Sequence, residues 1–326
     1  MQHHPRSQIT SALTYLGAAY ASAVTFKLAR FVWRHYVRPH TNLMKRYSDP
    51  KNGRLSSWAV VTGATSGIGR GCALVLAQQG FHIILIARTT KDLEELAHEL
   101  QTTYGVKTMI FSMDAAECSE TQVDDFIRQL DTKSVAILVN SVGIINERPA
   151  FVEEMEFSLA RSIILVNCCF TVLLTSRLIP LLKMHASQHN CRAAIFNVGS
   201  LTSSSPFALQ ATYAATKSFL AHWSRSLAAE LGPDPIDVLC VRPGLTASRM
   251  VGLDVKPGGI VADANDFARR AMGMLGIGVH DVLPYPPHAF LDWVGTIVPE
   301  SLQGSATRSM NLQRQQDMDQ ERDKLS

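Results

Sequence analysis

The chain has 326 residues, 46% of them hydrophobic and 18% charged, with 31 Lys and Arg against 28 Asp and Glu. That aliphatic content excludes a disordered or collagen-like protein, and the length suffices for one large α/β domain with its own core. The six cysteines include the adjacent pair Cys168 and Cys169 and show neither a CxxC pair nor zinc-ligand spacing, so neither a disulfide framework nor a structural metal is expected.

The charge divides unevenly along the chain. Residues 1–48 hold seven basic side chains (Arg6, Lys27, Arg30, Arg34, Arg38, Lys45 and Arg46) and no acidic one, which leaves 24 basic and 28 acidic residues for the rest. A slightly acidic body gives no electrostatic reason to expect nucleic-acid binding. Ile9 to Phe26 is a run of 18 residues without a charge, just long enough for a spanning helix. Lys27, Arg30, Arg34 and Arg38 follow at helical spacing on one face, which favours a cytosolic position for what comes after. Residues 1–50 therefore read as a membrane anchor with the body in the cytosol. A basic, Ser-containing mitochondrial presequence and a solvated basic arm are the alternatives.

From Ser56 short aliphatic runs alternate with helical patterns. Trp58–Val61 reads as a buried strand, Gly67–Gln79 as a helix stopped by Gly80, and Ile83–Ala87 as the next strand. A helix with Leu93, Leu96, Ala97 and Leu100 on one face follows. Thr108–Ser112, Val135–Val139, Ala193–Val198 and Ile236–Val241 are further strands. Helices are expected near Gln122–Leu130 and over residues 155–184 and 210–231, the last ended by Gly232 and Pro233. This alternation predicts right-handed crossovers and a doubly wound, mostly parallel sheet of the Rossmann type, a single α/β domain over residues 51–303. Residues 304–326 are polar and charge-balanced, and read as a helical or disordered tail.

The first strand runs into Thr62-Gly-Ala-Thr-Ser-Gly-Ile-Gly69. Gly63, Gly67 and Gly69 fall in the strand-to-helix turn, where a pyrophosphate must approach the backbone closely and the free N–H groups of the next helix can bind it. A lone glycine triplet is weak evidence, but this one sits after a strand, before a helix and at the start of a doubly wound pattern. TGATSGIG resembles the cofactor loop of the short-chain dehydrogenase/reductase family, over about residues 56–250. The resemblance implies that Gly63, Thr65, Ser66, Gly67, Ile68 and Gly69 line the dinucleotide. Arg88 ends the second strand, where an arginine accommodates the extra phosphate of NADP and a carboxylate would repel it; its bland alternative is a surface arginine. Asp114 matches the family's adenine contact and is equally suited to forming a turn. Asn140 matches the first part of an Asn-Asn-x-Gly motif, while Ser141 departs from it.

Tyr213-Ala-Ala-Thr-Lys217 puts a phenol and an ammonium on one face of a helix. Ser200 precedes the tyrosine by the family's usual interval, and Asn167 matches its fourth catalytic position. Adding a hydride to a carbonyl leaves charge developing on oxygen, so a proton donor and a group to hold that oxygen are required. The resemblance makes Tyr213 the donor and Ser200 the holder. Lys217 is to lower the tyrosine's pKa and bind the ribose, and Asn167 is to place a water beside Lys217. Pro243, Gly244 and Thr246, after the sixth strand, are expected beside the nicotinamide, with a lid over about Ala247–Asn265. Within the family the chain looks like the branch of hydroxysteroid dehydrogenases and very-long-chain ketoacyl-CoA reductases. This implies an NADP(H)-dependent oxidoreductase of the endoplasmic reticulum acting on an apolar ketone or alcohol. Subunit pairing through the two long helices is also implied, and Val282–Val298 would serve either as pocket wall, membrane contact or core packing. The rival function is a catalytically silent NADP(H)-binding sensor or scaffold.

Overall fold

The computed structural model describes residues 5–49, 57–250 and 255–325. Two units are distinguished, residues 1–39 and His40–Ser326. In the first, Pro5–Val32 (α1) is a 28-residue helix whose Leu13, Tyr15, Leu16, Tyr20, Phe26 and Leu28 are all exposed.

The second unit is built on seven parallel strands in the order β3-β2-β1-β4-β5-β6-β7. They are Trp58–Thr62 (β1), His82–Ala87 (β2), Thr108–Ser112 (β3), Val135–Asn140 (β4), Ala193–Val198 (β5), Ile236–Val241 (β6) and Asp281–Val282 (β7). The first six coincide with the predicted strands to within a residue or so. β7 was not predicted, since two residues carry no periodicity of their own, and it exists because Val282 backs onto Val241. Strand order reverses direction between β1 and β4, which opens a crevice beyond the carboxyl ends of these strands.

The helices are Leu43–Tyr47 (α2), Gly67–Gln79 (α3), Thr90–Tyr104 (α4), Glu120–Gln129 (α5), Phe157–Ile164 (α6), Thr171–His189 (α7), Ala211–Glu230 (α8), Ala264–Met272 (α9), Pro286–Gly295 (α10) and Glu300–Leu325 (α11). The central strands β1, β4 and β5 are buried along their whole length, as double-sided cover requires. On one face α3, α4 and α9 bring Leu76, Leu93, Leu100 and Phe267 into a core with Val61 and Leu85. On the other, α5, α7 and α8 bring Phe126, Leu174, Leu178 and Leu227 against Ile84, Leu138 and Ile195. Among the described residues, Phe157–His189 is the helix long and apolar enough to cross a membrane, but its Leu174, Leu178 and Leu182 are core residues of this body.

Two expectations about boundaries change. Residues 41–49, read from sequence as part of the N-terminal segment, belong to the body: Leu43 and Tyr47 are buried in its core. Tyr47 donates its hydroxyl to Asp237 at the start of β6 (2.7 Å), and Arg46 pairs with the same carboxylate. Asp49 lies 3.1 Å from His189, which in turn reaches Ser134 at the foot of β4. The segment from Gly304 takes the helical of its two readings, inside α11, but as a docked element rather than a tail. Asn311, buried, donates to the Ala208 carbonyl (2.7 Å), and Arg148 forms a forked pair with Asp319. Its polar composition hides this, because the docking is made by hydrogen bonds rather than an apolar stripe.

Candidate active site

The crevice between β1 and β4 is floored by the glycine turn. Gly63 and Gly67 take positive φ, +61° and +52°, which L-residues with side chains adopt only at a cost. A Cβ on Gly63 would lie 2.9 Å from the Val142 amide, and one on Gly69 would overlap the Gly63 carbonyl. Ser66 caps α3 without a side-chain hydrogen bond, so the first-turn amides of Gly67, Ile68 and Gly69 remain donors for an anion. Thr62, which the motif reading passed over, closes the crevice from below. Its hydroxyl accepts from the amides of Ser141 (3.0 Å) and Val142 (3.2 Å) and donates to the Val139 carbonyl. The departure at Ser141 is thereby supported by backbone bonding. A turn this tight, with free amides at a helix start, fits a dinucleotide pyrophosphate.

Arg88 follows β2 directly, exposed and without an ion pair among the described residues, with Ser112 donating to its carbonyl (2.8 Å). Asp114 forms a turn, its Oδ1 accepting from the Ala116 amide (2.8 Å). Its second oxygen is left for other partners. Asn140 departs from the expectation of a cofactor contact. Its side chain is buried and turned into the protein, donating to Thr175 and Asn197, and Asn197 continues to Ser224. It ties β4 to β5 and α7, a role that spacing alone does not separate from ligand binding.

Ser200 leaves β5 at the same edge of the sheet. Its Oγ accepts from the Thr202 amide (3.2 Å) and the Thr202 hydroxyl (2.9 Å). With both lone pairs engaged, its own proton is what it has left to give. That side chain acts on the phenol of Tyr213, in the first turn of α8. Tyr213 is buried, and burial pushes its phenol above the ordinary value while Ser200 pulls it part of the way back.

Lys217, one turn on, is also buried, and desolvation pushes its ammonium down to about 8. Its Nζ donates to the Val198 carbonyl (3.0 Å) and stands 5.7 Å from the Tyr213 ring centre. The lysine is turned to the end of β5, and burial governs the tyrosine.

Between α6 and α7 the helix widens into a π-turn over Leu165–Phe170, the kind of irregularity that often marks a functional position. Asn167 sits in it, buried. Its Oδ1 accepts from the Ile144 amide (2.9 Å), and its Nδ2 donates to the Ile144 carbonyl and to Thr216 Oγ1 (both 3.0 Å). Thr216 donates to the Tyr213 carbonyl (2.7 Å), coupling the π-turn to the tyrosine's helix. A Cβ on Gly143 would lie 3.3 Å from Asn167 Oδ1 and 3.4 Å from Lys217 Nζ. So Gly143, Asn167 and Lys217 converge.

Pro243 and Gly244 follow β6. The Leu201 amide donates to the Pro243 carbonyl (2.7 Å), which joins this turn to Ser200, and Thr246 donates to the Gly244 carbonyl (3.2 Å). The segment read as a lid starts as a narrow two-limbed loop in which Ala262 pairs with Leu245 and Ala247. Ser248 packs over Gly67, and Arg249 pairs with Asp92 at the start of α4 (2.7 Å). Part of it, residues 251–254, lies outside the described residues. Val282–Val298 splits between its readings: Leu283, Pro286 and His288 are buried, whereas Phe290, Trp293 and Ile297 are exposed.

A family model described as short chain dehydrogenase matches residues 57–256. A very-long-chain 3-oxoacyl-CoA reductase of Pyricularia oryzae is 33% identical over 287 residues, 86% of this chain and 83% of that protein. Among solved structures, a short-chain dehydrogenase from Sphingobium yanoikuyae in complex with NADPH shares 26% identity with a TM-score of 0.63, covering 78% of this chain and 95% of its own. A 7beta-hydroxysteroid dehydrogenase shares the fold at 19% identity and a TM-score of 0.68, over 82% of this chain and 99% of its own.

Proposed function

Given that this chain belongs to the short-chain dehydrogenase family, we propose that it reduces the ketone of a long-chain 3-oxoacyl thioester with NADPH, Tyr213 giving the proton. The observation that carries this reading is that the buried Tyr213 and Lys217 lie together, with Lys217 and Asn167 meeting at Gly143, beside a glycine turn shaped for a pyrophosphate. The substrate class is drawn from the very-long-chain 3-oxoacyl-CoA reductase relative, which matches this chain nearly end to end.

The residues suited to hold NADPH are the Gly63–Gly69 turn, with Arg88 for the 2′-phosphate and Thr246 for the carboxamide. Asp114 is placed for the adenine and Lys217 for the ribose. Bound there, NADPH supplies the hydride. Ser200, its lone pairs already engaged by Thr202, donates its proton as a hydrogen bond to the ketone oxygen. Tyr213, kept protonated by burial, transfers its proton to the same oxygen as negative charge develops. The nearby Lys217 ammonium then stabilises the phenolate. Asn167, held by Ile144 and Thr216 beside the Lys217 ammonium, is where a water reaching Lys217 would be guided.

The N-terminal helix supports a membrane location. Within it the charge-free stretch Ile9–Phe26 runs 18 residues, about 27 Å at about 1.5 Å per residue and close to the roughly 30 Å of a bilayer core. Its apolar side chains are exposed, and basic residues follow it. We assign the protein to the endoplasmic reticulum membrane with its body cytosolic, rather than to the mitochondrion. An apolar groove of about 880 Å³ along α8 and the π-turn, lined by Leu165, Phe170 and Phe219, is the surface through which two copies would pair.

The test is NADPH oxidation by the full-length protein in membranes or detergent. The panel is long-chain 3-oxoacyl-CoAs, steroid ketones and small ketones, with Tyr213→Phe as control. Turnover confined to the acyl-CoAs and lost in Tyr213→Phe supports the reading. NADPH binding without turnover on any ketone overturns it in favour of a silent binding protein.

A further inference from the structure

Three features outside the motifs offer themselves: a basic cleft beside Lys45 and Arg192, the Asp49–His189–Ser134–His185 chain beneath the sheet, and a histidine behind the Pro243–Gly244 turn. In the cleft, both arginines are already spent on Asp237. The buried chain is closed by its own partners. The histidine goes further.

His288 is completely buried near the start of α10. Its Nδ1 accepts the Gly244 amide (3.0 Å), and its Nε2 lies 2.9 Å from the Ile260 carbonyl. An acceptor at Nδ1 and a carbonyl opposite Nε2 are satisfied together by the neutral ring with its proton on Nε2. The ring also packs flat against Gly244, where a Cβ would fall 2.8 Å from Cδ2. Burial lowers the histidine's pKa, which keeps the neutral form. Tyr285 packs against its ring at 4.8 Å and ties the same loop through the Gly259 carbonyl.

We infer that His288 is a positioning residue. It holds the Gly244 amide, and through that turn it sets both Ser200 and Thr246, while its other nitrogen fastens the returning limb of the loop at Ile260. The route to the site is short. Gly244 follows Pro243, whose carbonyl takes the Leu201 amide next to Ser200, and the Gly244 carbonyl takes the Thr246 hydroxyl. With the histidine bond lost, the half-buried Gly244 amide would lose this partner, and the turn would shift to find another. Small displacements at reacting groups are expensive, up to about a hundredfold for an ångström.

This inference rests on the nicotinamide reading of the site, and two substitutions separate the ring's nitrogens. Asparagine at this position keeps an acceptor near Nδ1 but falls short of Ile260. Glutamine reaches Ile260 but withdraws the acceptor from Gly244. His288→Gln is expected to lower kcat by about tenfold or more, while His288→Asn keeps kcat within about threefold and raises KM for the ketone. Equal kcat losses in both variants, or none in either, overturn the inference. Fluorescence titration with NADPH separates the two levels: if the wild-type protein neither binds NADPH nor turns over, the nicotinamide reading itself fails. A second measurement needs no variant and no cofactor. In the wild-type protein the Gly244 amide is expected to exchange slowly with deuterium, and rapid exchange there overturns the inference.

Discussion

Lys217 is anchored to Val198, its ammonium 3.0 Å from that carbonyl at the end of β5. The lysine is thus placed by the sheet and not by the tyrosine beside it. Lys217→Met is therefore expected to weaken NADPH binding as well as abolish turnover, whereas Tyr213→Phe lowers kcat by about 10³-fold and leaves NADPH affinity intact. Titration calorimetry alongside initial rates separates the two.

The same lysine predicts a pH limb. Burial brings its pKa down to about 8, so the cation is present below that pH and lost above it. Tyr213, raised by burial, stays protonated across this range. The value of kcat/KM for NADPH, which reports groups on the free enzyme, should fall as pH rises through about 8. A flat profile to pH 9 would contradict a role for the ammonium.

At Arg88 the effect should be on cofactor choice. Removing a guanidinium that forks onto a phosphate costs about 1.5–3 kcal/mol, roughly 10–100-fold in affinity. Arg88→Ala should lose that much toward NADPH and little toward NADH, as measured by the two KM values.

Gly69→Ala tests the floor of the crevice. A Cβ there would overlap the Gly63 carbonyl, so the turn must open. The expected result is destabilisation of about 1–3 kcal/mol with loss of cofactor affinity. Denaturant melts and NADPH titration measure the two separately.

Acid stability should depend on His185. Its side chain is buried and its pKa is pushed down to about 4, mainly by desolvation. The unfolded chain takes up this proton near pH 6.5 and the folded one only near 4. Stability is therefore complete above about pH 6.5 and declines as pH falls toward 4, by roughly 3 kcal/mol at most. Comparing wild type with His185→Asn between pH 7 and 4.5 should show a shallower acid decline in the variant.

The parts of this protein written in the sequence are those set by local chemistry. The central strands β1, β4 and β5 are continuous apolar runs because both faces of the sheet are covered there, and such runs are visible without any tertiary information. The glycine turn is visible for the same reason: Gly63 and Gly69 are fixed by close approach within a few residues. What could not be read depends on contacts between distant segments. His288 meets Gly244 from 44 residues away, inside a proline-rich apolar stretch where a lone histidine gives no periodic signal. Asn311 meets Ala208 from 103 residues away, on a helix whose surface looks uniformly polar. Asn140 and Asn167 show the complementary limit. Their positions were legible, but the partners of their side chains were not. An amide committed to protein neighbours looks the same in sequence as one committed to a ligand.

The joints at Tyr47–Asp237 and Asp49–His189 meet the body at the amino-terminal ends of β4 and β6, while Ser200, Tyr213 and Lys217 gather at the opposite rim. Tension arriving through the residues ahead of β1 is consequently borne by the underside of the sheet, and the reacting groups lie outside the load path. A pull on the chain ahead of β1 would thus reach the body at its underside and leave the reacting groups undisturbed.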